Sequence, residues 1–129
     1  MLRWIEVLKL STGKKKDYKM KVMKLKDMKQ GWFVGNFEPT AMVDKNVEVC
    51  YRVHPKGEKW EWHYHKETTE VNLLIKGKMI MQGVELNSGD IFTIHPYEIS
   101  DQEFLEDCEI ICVKTPSKPG DKYIVEETK

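Results

Sequence analysis

Hydrophobic and polar residues alternate along much of this chain with a period of two. In "NVEVCYRVHPKG", Val47, Val49, Tyr51 and Val53 share one face, and Pro55 and Gly57 end the run. "VNLLIKGKMIMQG" places a turn at Gly77 between two apolar segments; "LNSGDIFTI" sets a turn before a β-rich run, and "CEIICVKTP" supplies a further strand that stops at Thr115 and Pro116. In "GKKKDYKMKVMKLKDMK", Tyr18, Met20 and Val22 alternate with Lys19 and Lys21, the pattern of a solvated strand or hairpin face. No stretch carries a long 3.6-residue period. Many short strands between turn signals predict an all-β sandwich or closed barrel.

Length and charge narrow the class. A chain of 129 residues makes one domain with a real core, expected here over 1–129. Lys plus Arg equals Asp plus Glu, at 21 each, so nothing in the overall charge favours nucleic acid or an anionic membrane surface. "MLRWIEVLKL" is too short and too charged for a signal peptide's apolar region, and no apolar run approaches the roughly 18 residues of a membrane span; the expectation is a cytoplasmic protein with no membrane partner. Cys50, Cys108 and Cys112 are an odd set in strand-like segments without a CxxC, and read as reduced core residues. Met79 and Met81, alternating after Gly77, read as wall residues.

The candidate chemistry lies in "GEKWEWHYHKETTEVNLLIKG". On a strand, Glu61, His63 and His65 share one face, and Trp60, Trp62 and Tyr64 share the other. Two imidazoles two residues apart, with Glu70 just beyond a turn, form a set of two nitrogen donors and one oxygen donor suited to Fe, Mn, Co, Ni, Cu or Zn. The aromatic stripe on the opposite face is expected to pack against another sheet or a second subunit.

The spacing resembles the first motif of the cupin superfamily: Gly57, five residues, His63-Tyr64-His65, four residues, Glu70, six residues, Gly77. The resemblance implies a cupin-like jelly-roll β-barrel with its core motifs over about 47–114 and flanking segments capping the barrel. It implies His63, His65 and Glu70 as ligands of a divalent transition metal, a small-molecule ligand or substrate in the pocket, and a homodimer. The second cupin motif matches less well. From Gly89 and Asp90 it reaches His95 where the family has proline, Tyr97 where it has glycine, and Ser100 where it has the fourth, histidine ligand. Glu98, on the Ser100 face of a regular strand, and Asp101, after a bulge, are the candidate replacements for that ligand. Glu98 and Tyr97 are the candidate proton carriers, and His95 is a candidate for supporting a ligand from behind.

Three functions are compatible with such a pocket. One is a metal-dependent enzyme acting on a small polar metabolite. Another is a non-enzymatic ligand-binding or sensing protein. The third is a metal-independent sugar or nucleotide-sugar isomerase or epimerase that uses a histidine base.

Overall fold

The computed structural model describes residues 5–7, 9 and 19–126. Residues 13–18, the first part of the lysine-rich segment, including Tyr18 with its expected place on a strand face, lie outside those residues. Where that segment is described, Met20 and Val22 are exposed and the chain makes a 3-10 turn over Leu25–Asp27.

Among the described residues, ten short strands follow the 3-10 turn: β1 (Trp32–Val34), β2 (Glu48–His54), β3 (His63–Tyr64), β4 (Thr69–Lys76), β5 (Lys78–Met81), β6 (Val84–Asn87), β7 (Ile91–Ile94), β8 (Glu103–Phe104), β9 (Cys108–Thr115) and β10 (Tyr123–Ile124). They form a five-stranded sheet ordered β1-β2-β9-β4-β7, a three-stranded sheet ordered β6-β5-β8 and the pair β10-β3, with every strand pairing antiparallel. The fold class is all-β, as the alternation predicts. No helix among the described residues is long and apolar enough to cross a membrane.

The large sheet turns its more polar face inward. In β2 the buried positions are Glu48, Cys50 and His54, and Val49, Tyr51 and Val53 point away from them. In β4 the inward set is Glu70, Asn72 and Leu74, leaving Val71, Leu73 and Ile75 exposed; in β9 it is Cys108, Ile110 and Cys112. The apolar set Val49, Tyr51 and Val53, which alternation assigns to a single face, thus occupies the outer face of the sheet. Register extends that face across the strands, aligning Val49, Val113 and Val71 in one row and Tyr51, Ile111, Leu73 and Ile91 in the next.

The apolar core occupies only part of the interior. Leu74, Met79, Met81, Leu86, Ile94, Phe104, Cys108 and Ile110 pack together between the large and the three-stranded sheets, with Trp60 and Phe92 against them. Met79 and Met81 are therefore core side chains. His54 marks the edge of this cluster: its ring stacks on Phe104 at 4.3 Å and 8° and bonds the Glu58 carboxylate through Nδ1. Beyond it the interior becomes polar.

Gly77, which closes the first motif, joins β4 to β5 at φ +104°, and a Cβ there would lie 2.4 Å from the Asp107 carbonyl oxygen and 2.7 Å from Cys108 Sγ. Both the backbone conformation and the contact require glycine. Gly77→Ala is expected to lower stability by roughly 2 to 4 kcal/mol, from left-handed strain plus overpacking, as measured by urea denaturation. A change below about 0.5 kcal/mol, the range of an ordinary surface substitution, would contradict this placement.

Candidate functional site in the barrel

His63, His65 and Glu70 line one cavity of about 150 Å³, together with Arg52, Trp60, Asn72, Cys112, Lys114 and Lys122. Both histidines are buried, their ring centroids 5.3 Å apart and their planes at 76°. The turn between His65 and Glu70 returns the chain so that His65 Nε2 lies 3.6 Å from Glu70 Oε2.

Backbone carbonyls set the tautomer of each ring. His63 Nδ1–H donates to the Glu61 carbonyl at 3.0 Å, and His65 Nδ1–H donates to the Asp121 carbonyl. A carbonyl only accepts, so each neutral ring carries its proton on Nδ1 and leaves the Nε2 lone pair free. His65 Nε2 is buried without any hydrogen-bond partner. Burial holds the pKa of His63 below the ordinary imidazole value, and nearby Lys122 and His65 act in the same direction against the Glu61 carbonyl and the Glu70 charge. His63 is therefore the neutral form near pH 7.

Glu70 is the buried charge of the site. Burial alone would raise its pKa, but the His65 ring in its charged form, which carries a second proton on Nε2, the Lys114 charge and the Cys112 thiol outweigh this and bring it from 4.5 to about 2. Cys112 Sγ–H donates to Glu70 Oε1 at 2.9 Å. The thiol in turn is raised well above its ordinary value, with the Cys50 thiol the largest cause, followed by burial and the Glu70 charge. Cys50 lies directly across from Cys112 in the β2–β9 register. All three cysteines are free and buried, and Cys50 and Cys112 line the cavity.

Asp121 holds the turn in place, and no motif pointed to it. Its carboxylate accepts the backbone N–H groups of Lys66, Glu67 and Thr68 at 3.0, 3.0 and 3.1 Å, and its carbonyl orients His65. Burial would raise the Asp121 pKa, but these three donors and His65 bring it below the ordinary carboxyl value. The one sequence signal is its position after Pro119-Gly120, a turn that returns the C-terminal crossing to the barrel.

The structure does not bring the second-motif candidates to this cavity. His95 to Glu98 form a tight turn with Tyr97 at φ +68°, so strand alternation fails there. Glu98 folds back, its carboxylate accepting the His95 backbone N–H at 2.6 Å and meeting His95 Nδ1 at 3.1 Å. Tyr97 is 66% exposed and stacks on Tyr64 outside the barrel. The Asp101 carboxylate accepts the Gln82 backbone N–H at 2.8 Å. None of Glu98, Tyr97, Asp101 and His95 lines the cavity. Ser100, at the fourth-ligand position of the motif, is buried and exchanges backbone hydrogen bonds with His63 at 2.7 and 3.3 Å.

The aromatic stripe also needs correction. Regular pairing in β3 begins only at His63, so Trp60 escapes the alternation and lines the same cavity as the histidines, its indole N–H donating to Glu58. Tyr64 sits outside, stacked between Tyr97 and Tyr123, and Trp62 is 41% exposed.

No family model matches this sequence, and no curated protein does. Solved structures do. A double-stranded β-helix protein from Klebsiella pneumoniae aligns over 84% of this chain and 100% of its own, with a TM-score of 0.58 at 15% identity. The fold is a cupin-type jelly roll. The β-barrel nucleoside dehydratase Pac13 of Streptomyces aligns over 69% of this chain and 76% of its own, with a TM-score of 0.59 and 14% identity. KdgF from Halomonas sp. aligns over 58% of this chain and 73% of its own, with a TM-score of 0.53 and 18% identity.

The donor set of this jelly roll suits a transition ion: two imidazole Nε2 lone pairs, one of them partnerless, beside an ionised carboxylate. As placed, no three His, Cys, Asp or Glu side chains among the described residues already converge into a complete cage.

Two consequences are measurable in metal-free protein. The folded-state pKa of Glu70 is depressed, so its stabilisation is fully present above pH 4.5, the ordinary value, and is lost as the pH falls toward about 2. The loss should reach roughly 3 kcal/mol in urea unfolding across that range and should shrink in Glu70→Gln; equal acid sensitivity in the two proteins would contradict it. Asp121→Asn replaces one acceptor oxygen by a donor, leaving at least one of the three turn N–H groups without its charged acceptor. It is expected to cost about 2 to 4 kcal/mol at pH 7, where an ordinary surface change would cost under about 0.5 kcal/mol.

Proposed function

We propose that this cupin-type protein is a metal-dependent enzyme acting on a small polar metabolite, with His63, His65 and Glu70 as the ligands of a divalent transition ion. The observation that carries this reading is the buried, partnerless Nε2 of His65 beside the ionised Glu70. An orphaned buried acceptor costs stability unless something is meant to occupy it. Once bound, the ion would supply Lewis acidity at positions left open by three protein ligands.

The remaining work falls to the chain's own residues. The Glu61 and Asp121 carbonyls hold the two rings in the tautomer that presents Nε2. Cys112 satisfies Oε1 of Glu70 and leaves Oε2 turned toward His65. Trp60 and Trp32 wall the cavity, while Asn72 and Gln102 offer neutral hydrogen-bonding groups to a substrate.

A second reading is metal-independent proton transfer with His63 as base. It is supported by the neutral His63, by Lys114 and Lys122 in the same cavity, and by the absence of a ready-made cage among the described residues. Pac13, of similar fold, is a nucleoside dehydratase with structures containing uridine, so a barrel of this fold can act on a small polar metabolite.

Elemental analysis of protein purified without chelator, beside a His63→Ala/His65→Ala variant checked for folding by circular dichroism, separates the two readings. The metal reading expects near-stoichiometric transition metal in the parent and its loss from the folded variant. A parent that stays empty after reconstitution with Fe(II), Mn(II), Ni(II) and Zn(II) would sink it.

We also propose a homodimer joined through the outer face of the large sheet, where Val53, Val71, Leu73, Ile75 and Ile91 are 55, 37, 36, 39 and 68% exposed in one chain. Sedimentation velocity should show a dimer that Val71→Lys/Leu73→Lys converts to monomer. A monomeric parent would contradict this arrangement.

A further inference from the structure

The cavity holds more positive charge than its carboxylate can answer. Lys114 neighbours Glu70 in the β4–β9 register and contributes to keeping it ionised. Lys114 also neighbours Glu48 in the β2–β9 register, where Glu48 accepts a hydrogen bond from Ser117. Lys114 is thus accounted for by the acids beside it. Arg52, from β2, lies close enough to Glu58, and Lys122, from the crossing before β10, close enough to Glu61 and Glu70, to feel their charge, but neither makes an ion pair with them.

Arg52 and Lys122 converge on one indole. The Arg52 guanidinium carbon lies 4.5 Å, and Lys122 Nζ 4.9 Å, from the centroid of the Trp60 ring. Neither is within 4.0 Å of a carboxylate oxygen among the described residues. Glu58, the acid nearest Trp60 in the hydrogen-bond network, is committed to His54 and the Trp60 N–H. Two like charges on one aromatic ring at the mouth of a small cavity repel each other, and the Lys122 pKa is lowered by burial first, then by the Lys114 charge and the Arg52 charge. Stacking on the ring orients both groups without using their N–H donors. An oxyanion between them would relieve the repulsion and accept those donors.

We propose that Arg52 and Lys122, flanking Trp60, form an anion subsite, and that the metabolite taken by this cavity carries a carboxylate or phosphate group. The inference rests on the reading of this cavity as a substrate site but does not require a bound metal. It supplies the orientation that reading lacks: the anionic group lies on the Trp60 side, and the part of the molecule to be transformed faces His63, His65 and Glu70. A planar guanidinium and an ammonium recognise carboxylate and phosphate alike through their oxygens.

The test uses the full chain stripped of metal, so that an anion cannot bind through an ion, and follows tryptophan fluorescence as malonate, inorganic phosphate or neutral malonamide is added. Saturable binding of malonate or phosphate but not malonamide is expected, with affinity falling as salt rises. The stronger of the two anions identifies the group. Arg52→Gln/Lys122→Gln, folded by circular dichroism, should lose at least about tenfold in affinity, the least expected from one charge-assisted hydrogen bond. The His63→Ala/His65→Ala variant should keep anion binding even where it loses metal, which separates this proposal from the metal reading. Absence of saturable binding by both anions, equal binding of malonamide, or unchanged affinity in the Arg52/Lys122 variant would each overturn it.

Discussion

The constraint on which this structure depends is an ionised carboxylate inside a small barrel. Glu70 stays charged although buried, because the Lys114 charge and the Cys112 thiol are brought to it from a distant part of the chain. Burying an unpaired carboxylate would cost several kcal/mol, a large fraction of the total stability of a domain of this size. Each supporting residue therefore has a structural assignment before it has a functional one. The β4–β9 pairing sets Lys114 and Cys112 on the inward face beside Glu70, and Asp121 holds the turn that brings His65 there.

That demand also explains how the interior is divided. One part is an ordinary core of Leu74, Met79, Phe104 and their neighbours; the other is lined by charged and imidazole side chains, and His54 stacks at the boundary. The inward positions of β9 change along the strand from Cys108, Ile110 and Cys112 to Lys114, and those of β2, Glu48, Cys50, Arg52 and His54, are polar apart from the thiol. The apolar alternate set is consequently left on the outer face, an arrangement that makes sense if that face has a partner of its own.

The fold was legible because a period of two, broken by turns at Gly57, Gly77 and Gly89, belongs to few architectures. The grouping of His63, His65 and Glu70 was legible because these residues lie within one hairpin-like segment, where sequence spacing and spatial proximity coincide. The remainder of the site was hidden for definite reasons. Glu98 and Asp101 looked suitable only on the assumption of a continuous strand after Ile94, and the chain instead makes a tight turn at Tyr97. Trp60 precedes the regular part of β3, so alternation assigned it to the wrong side. Asp121, Lys122 and Arg52 reach the cavity through tertiary packing of distant segments, which no local period records.

The fold alone does not choose a reaction, since one barrel supports unrelated chemistries. What this chain adds is a pair of imidazoles whose backbone bonds fix the direction of their free lone pairs. Nitrogen-detected NMR of the two histidine side chains in metal-free protein near pH 7, followed by addition of Zn(II), tests that directly. Protons are expected on Nδ1 of both His63 and His65, with free Nε2 lone pairs and a shift of both Nε2 signals when the ion is added. Protons on Nε2 of either ring, or Nε2 signals indifferent to the ion, would contradict it.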